Sequence, residues 1–220
     1  MKKILLIGAG IFLVLIIVGV VSFSLVDKPV RGATNMESNP WDIGRTTATF
    51  DTDGGKRYTE YKQYDPRWAD EKYWGKTMKR KGCGITAMAI VLSGYGKSVT
   101  PKDLQKKYYP VMNYENMSKE LLENYNIKSS GFHYDNGSLS EEKILKHLKN
   151  DKPLIVCAWA ENGINRWTKN SHYLTLLAAN DENKIYVANP GGSEYGPNKN
   201  GWYNASQVVP YLAKVLFVEE

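Results

Sequence analysis

Lys81-Gly82-Cys83-Gly84-Ile85-Thr86-Ala87-Met88-Ala89-Ile90-Val91-Leu92-Ser93-Gly94-Tyr95-Gly96 is a cysteine between two glycines that opens a run of helix formers, closed by a glycine pair. Ile85, Met88, Ala89, Val91 and Leu92 recur at helical spacing, which predicts a helix from Cys83 with a buried face. Gly94 and Gly96 are suited to end it, since glycine reaches the left-handed conformation of helix termini. Cys83 then lies where free backbone N–H groups and the positive end of the macrodipole favour an anion. In such a place a thiol pKa falls from about 8.5 to roughly 3.5–7.5. The flanking glycines leave room for a substrate backbone beside the sulfur. Cys83 is the candidate nucleophile.

Beyond this helix, Thr100-Pro101-Lys102-Asp103 reads as a capped helix start running to about Tyr108, and Ser118 to Tyr125 as a second short helix. Lys128 to Tyr134 is a candidate strand. Ser138-Leu139-Ser140-Glu141 resembles a capping box, ahead of a helix that turns Ile144, Leu145 and Leu148 inward. After Asp151-Lys152-Pro153 the period changes. Leu154 to Trp159 is a compact apolar strand; Ser171 to Ala179 and Lys184 to Ala188 follow, joined by the polar turn Asn180 to Asn183. A short helix near Ala205 to Leu212 and a strand Lys214 to Val218 complete the pattern. Helices first and a mostly antiparallel sheet second make an α+β domain.

Toward the N-terminus, Lys2 and Lys3 precede an uncharged stretch from Ile4 to Val26. As a helix it is long enough for the roughly 30 Å hydrocarbon core, so residues 1–26 are expected to be a transmembrane anchor. Removal as a signal peptide, with Ser22 and Ser24 near the cut, stays open. The lysine pair puts the N-terminus in the cytoplasm and the body outside it. Residues 27–56, rich in glycine and proline, read as a flexible linker in which Trp41 and Ile43 are the only candidates for docking, and 57–220 as one domain. Of the formal charge of +6, Lys2 and Lys3 supply two, which leaves +4 on the exported part. That suits an anionic cell-wall or membrane surface. The basic residues are scattered, which excludes a nucleic-acid footprint.

A cysteine nucleophile needs a base, and the chain has three histidines. His147 sits at the edge of an apolar stripe and reads as a surface residue; His133 has no partner in its neighbourhood. His172 opens a buried strand. Reversal at Asn180 to Asn183 brings it to the same end of the hairpin as Asn189, whose side chain can orient an imidazole.

Tyr61-Lys62-Gln63-Tyr64-Asp65-Pro66-Arg67-Trp68-Ala69, Tyr73-Trp74-Gly75, Gly82-Cys83-Gly84-Ile85-Thr86-Ala87-Met88-Ala89, Ser171-His172-Tyr173 and Val187-Ala188-Asn189-Pro190-Gly191 together resemble the papain-like cysteine peptidases related to bacteriocin-processing, double-glycine leader peptidases. The resemblance spans most of the domain and implies their papain-like fold. It implies Cys83 as nucleophile, His172 as general base and acid, Asn189 as the orienting third residue, and Gln63 as an oxyanion-hole donor beside the Cys83 N–H. Many relatives carry Asp where Asn189 stands, so orientation is kept without the negative charge.

No P-loop of the Gly-x-x-x-x-Gly-Lys-Ser/Thr kind occurs, so a role inside an ATP-driven exporter is not expected. Neither a cofactor nor a metal is expected, since no Cys-x-x-Cys or His-x-x-x-His spacing exists. The expected function is a membrane-anchored extracytoplasmic cysteine peptidase acting on a peptide or protein. Competing readings are a weakly active surface binding module, and a cell-wall peptide hydrolase or acyl transferase. A Cys83–Cys157 disulfide also competes, although Cys157 lies in an apolar strand. Trp68 and Tyr64 are expected to pack behind Gln63, and Trp159, Trp167 and Trp202 are candidates for lining a groove.

Overall fold

A computed structural model describes residues 35–38, 46–135, 139–160, 166–192 and 197–219. The expected membrane segment 1–26, the docking candidates Trp41 and Ile43 and the capping candidate Ser138 lie outside them. Among the described residues no helix is long and apolar enough to cross a membrane.

In chain order the elements are β1 (Asn35–Ser38), β2 (Thr46–Asp51), β3 (Arg57–Thr59), β4 (Lys72–Tyr73), β5 (Lys76–Thr77), α1 (Met78–Lys81), α2 (Cys83–Gly94), α3 (Pro101–Lys107) and α4 (Met117–Tyr125). They continue with β6 (His133–Tyr134), α5 (Glu141–Lys149), β7 (Leu154–Trp159), β8 (Ser171–Ala179), β9 (Lys184–Ala188), β10 (Gly201–Asn204) and β11 (Leu212–Phe217).

The centre is a six-stranded sheet in the order β10-β9-β8-β7-β11-β6, antiparallel at every pairing. β7 shows how its two faces divide. Ile155 and Cys157 point toward α2, whereas Leu154, Val156 and Ala158 pack with Ile144, Leu145 and Leu148 of α5. Burial on both faces makes the strand read as an unbroken apolar run. α2 packs on β8 and is buried all round from Gly84 to Leu92, not along one face alone. A helix with sheet on one side and helices or strands on the others has no polar face to show.

The helix start expected at Thr100 is capped, by a box that Thr100 forms with Asp103, and Ser140 caps α5 by accepting from the Lys143 N–H. The expected strand 128–134 shrinks to β6 and a single bridge between Ser129 and Val218. The expected helix near Ala205 is instead two 3₁₀ turns, Ala205–Gln207 and Val209–Tyr211; Pro210, which has no N–H to donate, sits in the second.

The linker expected over 27–56 does not hold for its last part. Thr46–Asp51 is a strand paired to β3, and Phe50 is buried with its ring stacked on Tyr186 at a centroid distance of 3.6 Å. Lys56 then reaches the carbonyl of Asp151, in the α5–β7 turn.

One glycine of the opening motif is also used differently than expected. Gly94 does not end α2 through a left-handed turn; a Cβ there would lie 2.1 Å from the ring of the fully buried Tyr58. The left-handed residue is Gly96, at φ +69°. Gly94→Ala is therefore expected to destabilise the fold by about 1–3 kcal/mol, the cost of overpacking. Thermal unfolding should show a Tm drop of several degrees, and an unchanged Tm would refute this account of Gly94.

Candidate active site

The site is assembled at the contact of α2 with β8, where each functional side chain is delivered by a different element. Cys83 opens α2 and is half-buried. The first N–H to close a turn inside α2 is that of Thr86, on the Gly82 carbonyl, so the preceding N–H groups start the helix unpaired within it. His172 is the second residue of β8, and Asn189 directly follows β9. The hairpin brings the two together, with His172 Nε2 2.7 Å from Asn189 Oδ1.

The Asn189 amide is held on every side. Its Nδ2 donates to the Asn198 carbonyl at 2.9 Å, and its Oδ1 accepts from the Gly191 N–H at 3.0 Å. These two bonds fix which end of the amide is oxygen. His172 must then donate its Nε2 proton to that oxygen, leaving Nδ1 for the sulfur. Behind the amide, the Asn189 N–H donates to Asn200 Oδ1 at 2.8 Å. The Lys62 ammonium donates to the Asn189 carbonyl at 2.8 Å and to Asn200 Oδ1 at 2.7 Å. Lys62, Asn198 and Asn200 were not singled out by their residue types. The only signal was their position, beside Gln63 and in the polar stretch Asn198-Lys199-Asn200.

Electrostatics match the placement. Burial works against ionisation of the Cys83 thiol, but a hydrogen bond from His172, its charge, and the N–H groups of Tyr173 and Gly84 bring the thiol below its ordinary value. Burial alone would lower His172; its bonds to Cys83 and Asn189 overcome that and raise it above the ordinary imidazole value. The two shifts have opposite sign, as a thiolate–imidazolium pair requires.

Gln63 is tied to the same corner. Its N–H donates to the Pro190 carbonyl at 2.9 Å, and its Nε2 donates to the Lys79 carbonyl at 2.8 Å. The amide carries two N–H groups, so one remains beyond the Lys79 bond. Its buried Oε1 has no partner among the described residues. The expected bracing is present: Trp68, buried, donates its indole N–H to the Lys62 carbonyl at 2.8 Å, and the Tyr64 hydroxyl donates to the Gly192 carbonyl at 2.8 Å.

Gly82 and Gly84 make room for the protein's own side chains rather than for a substrate backbone. A Cβ on Gly82 would meet the Met78 carbonyl oxygen at 2.6 Å and its side-chain Cε at 2.8 Å, and one on Gly84 would meet the Tyr114 ring at 2.4 Å. Gly191 is the glycine that clears space at the chemistry. A Cβ there would lie 2.8 Å from His172 Cε1 and 3.3 Å from Gln63 Oε1.

Cys157 and Cys83 are both free thiols. Cys157 is buried, with a pKa pushed up to about 11 chiefly by that burial. The remaining histidines stay away from the site: His147 bonds the Val218 carbonyl at 3.0 Å, and His133 sits edge-on to Phe217. Among the described residues no group of three or more His, Cys, Asp or Glu side chains could hold a metal ion.

A cleft of about 850 Å³ opens at Cys83, and its lining includes Trp74, Arg80, Lys81, Tyr114, Trp159, Lys169 and Tyr173. Of the three tryptophans proposed for a groove, Trp159 lines it. Trp167 is buried against Tyr203, and Trp202 packs on Phe50 and Tyr186.

The family model described as Peptidase_C39 like matches residues 55–209. A solved structure of a protein provisionally assigned as a C39-like peptidase from Bacillus anthracis is similar, with 14% identity and a TM-score of 0.47, over 73% of this chain and 94% of that one. No curated protein matches the chain.

Proposed function

The chain belongs to the Peptidase_C39-like family, and from that premise we propose that it is a cysteine peptidase using Cys83, His172, Asn189 and Gln63. The single observation that carries the reading is the chain of contacts Cys83–His172–Asn189, with the thiol lowered and the imidazole raised.

The Cys83 thiolate attacks the scissile carbonyl carbon, and its oxygen takes up the negative charge. The second N–H of Gln63 Nε2 and the Cys83 N–H receive that charge. As the tetrahedral adduct collapses, the C–N bond breaks and the His172 imidazolium gives its proton to the departing nitrogen. His172, now neutral, takes a proton from water, whose oxygen attacks the thioester. The acid leaves, and thiolate and imidazolium are restored. Asn189 keeps the ring oriented through both transfers. With the uncharged stretch Ile4 to Val26 as an anchor, this chemistry takes place outside the cytoplasm on peptide or protein substrates.

The test is the pH dependence of alkylation and of turnover in the full chain. Thiolate character rises as pH climbs through the lowered pKa of Cys83, and the imidazolium is lost as pH passes the raised pKa of His172. Iodoacetamide should therefore modify Cys83 well below the pH at which an ordinary thiol reacts. kcat/KM for a peptide should be bell-shaped between the two limits. Slow labelling of Cys83 that matches an unperturbed thiol would sink the peptidase reading and leave a binding module.

A further inference from the structure

Resting on the peptidase reading above, we propose that Trp74 and the cationic rim of the cleft select peptides with a bulky apolar side chain beside the scissile bond and carboxylates flanking it. Trp74 carries the first observation. It sits with Gly75 at the tip of the β4–β5 hairpin, both with positive φ, at 47° and 66°. That tight turn normally takes Asn-Gly, and a bulky aromatic residue in the left-handed region is an outlier. Strain of this kind persists where the surroundings impose it, and it clusters at ligand clamps. The Trp74 N–H is pinned to the Pro110 carbonyl at 2.7 Å, yet the indole is 51% exposed and lines the cleft. Only about half of the residue is covered, with its ring 6.3 Å from that of Tyr114, so the strained backbone leaves the rest of the indole placed for something outside the protein. Trp159, 56% exposed, lines the same cleft from the sheet side.

Charge supplies the second, independent observation. Lys81 lies over the Trp74 ring at 5.3 Å, and Arg80 and Lys169 are exposed cations of the same cleft with no carboxylate partner among the described residues. The one carboxylate in the lining, Glu115, is already paired with Lys214 and accepts from the Tyr134 hydroxyl at 2.6 Å. The cleft thus offers aromatic surface ringed by unanswered positive charge. A Gly-Gly segment would use neither feature.

The test uses the full chain in detergent micelles. Fluorescein-labelled decapeptides carry a Phe or Leu core or a Gly-Gly core, flanked by Asp/Glu or by Lys, and anisotropy measures their binding to Cys83→Ala. Acid-flanked apolar peptides should bind at least about tenfold tighter than the other sets, with the gap closing as salt is raised. Trp74→Asn should weaken apolar peptides about tenfold while the Tm stays level or rises, because Asn accepts the turn. The double change Arg80→Glu and Lys169→Glu, at exposed positions, should invert the flank preference, with circular dichroism checking the fold. Equal binding of all sets, tighter binding of Gly-Gly, or indifference to both variants would overturn the inference. Selective binding without a covalent Cys83 adduct in the wild type would remove the peptidase reading alone. Turnover of every set without preference would remove this inference alone.

Discussion

His172→Ala is expected to lower kcat/KM by about 10⁴–10⁶-fold, because one imidazole both sustains the thiolate and supplies the proton to the leaving nitrogen. At 1.36 kcal/mol per tenfold this is roughly 5–8 kcal/mol of transition-state stabilisation. Among the described residues at the site, nothing else can replace the ring. Cys157 holds its proton to about pH 11, and Lys62 is committed to the Asn189 carbonyl and Asn200. Asn189 acts only through His172, so His172→Ala combined with Asn189→Ala should be no worse than His172→Ala alone. Residues that work as one unit are non-additive in this way. Initial rates on a cleavable peptide measure the loss. A decrease under about tenfold would mean that a different group serves as base, and additive losses would mean that Asn189 acts on its own.

The sequence exposed those parts of this arrangement that depend on local periodicity. α2 and strands β7, β8 and β9 announce themselves because Ile85 to Leu92, Leu154 to Ala158, Tyr173 to Leu177 and Ile185 to Ala188 are buried and, apart from Thr86 and Thr175, apolar at helical or strand spacing. The His172–Asn189 contact was legible for the same reason, since a hairpin of known turn fixes which ends meet. What stayed hidden depends on partners far away in the chain. Thr46 to Asp51 contains one large apolar residue, Phe50, and its place in the core depends on distant partners, Tyr186 stacked on it and Trp202 edge-on to it. Gly82, Gly84 and Gly94 were legible as glycines, but the rings and chains they accommodate belong to Met78, Tyr114 and Tyr58. A motif shows that a side chain is absent; only the fold shows what fills the space.

Lys62 shows the same division at the site itself. Its neighbour Gln63 carries the family resemblance, while Lys62 looks like any solvated lysine. In the folded chain its ammonium spans two polar groups contributed more than a hundred residues away. The loop bearing Asn198 and Asn200 is thereby bound to the segment bearing Gln63, so the oxyanion donor and the orienting amide share one scaffold. Rigidity of this kind matters because misplacement by about 1 Å can cost 10²-fold in rate.

Gly191→Ala is the sharpest test of that scaffold, with an expected loss of about 10²–10³-fold in kcat/KM and little change in Tm. The backbone at 191 lies outside the left-handed region, so alanine is conformationally acceptable there. The added methyl has nowhere to go: it would sit 2.8 Å from His172 Cε1, 3.1 Å from Nε2 and 3.3 Å from Gln63 Oε1. Relief requires the imidazole to turn away from Asn189 Oδ1 or the Gln63 amide to swing off the Lys79 carbonyl. The first movement breaks the thiolate pair, and the second displaces the oxyanion donor. The two are separable by experiment. If the ring moves, iodoacetamide labelling of Cys83 near neutral pH slows together with turnover. If only Gln63 moves, labelling keeps its wild-type rate and pH dependence while kcat falls. Wild-type activity and labelling in Gly191→Ala would show that the corner is loose enough to absorb a methyl, and the close packing of His172, Gln63 and Asn189 would then not be what positions the chemistry.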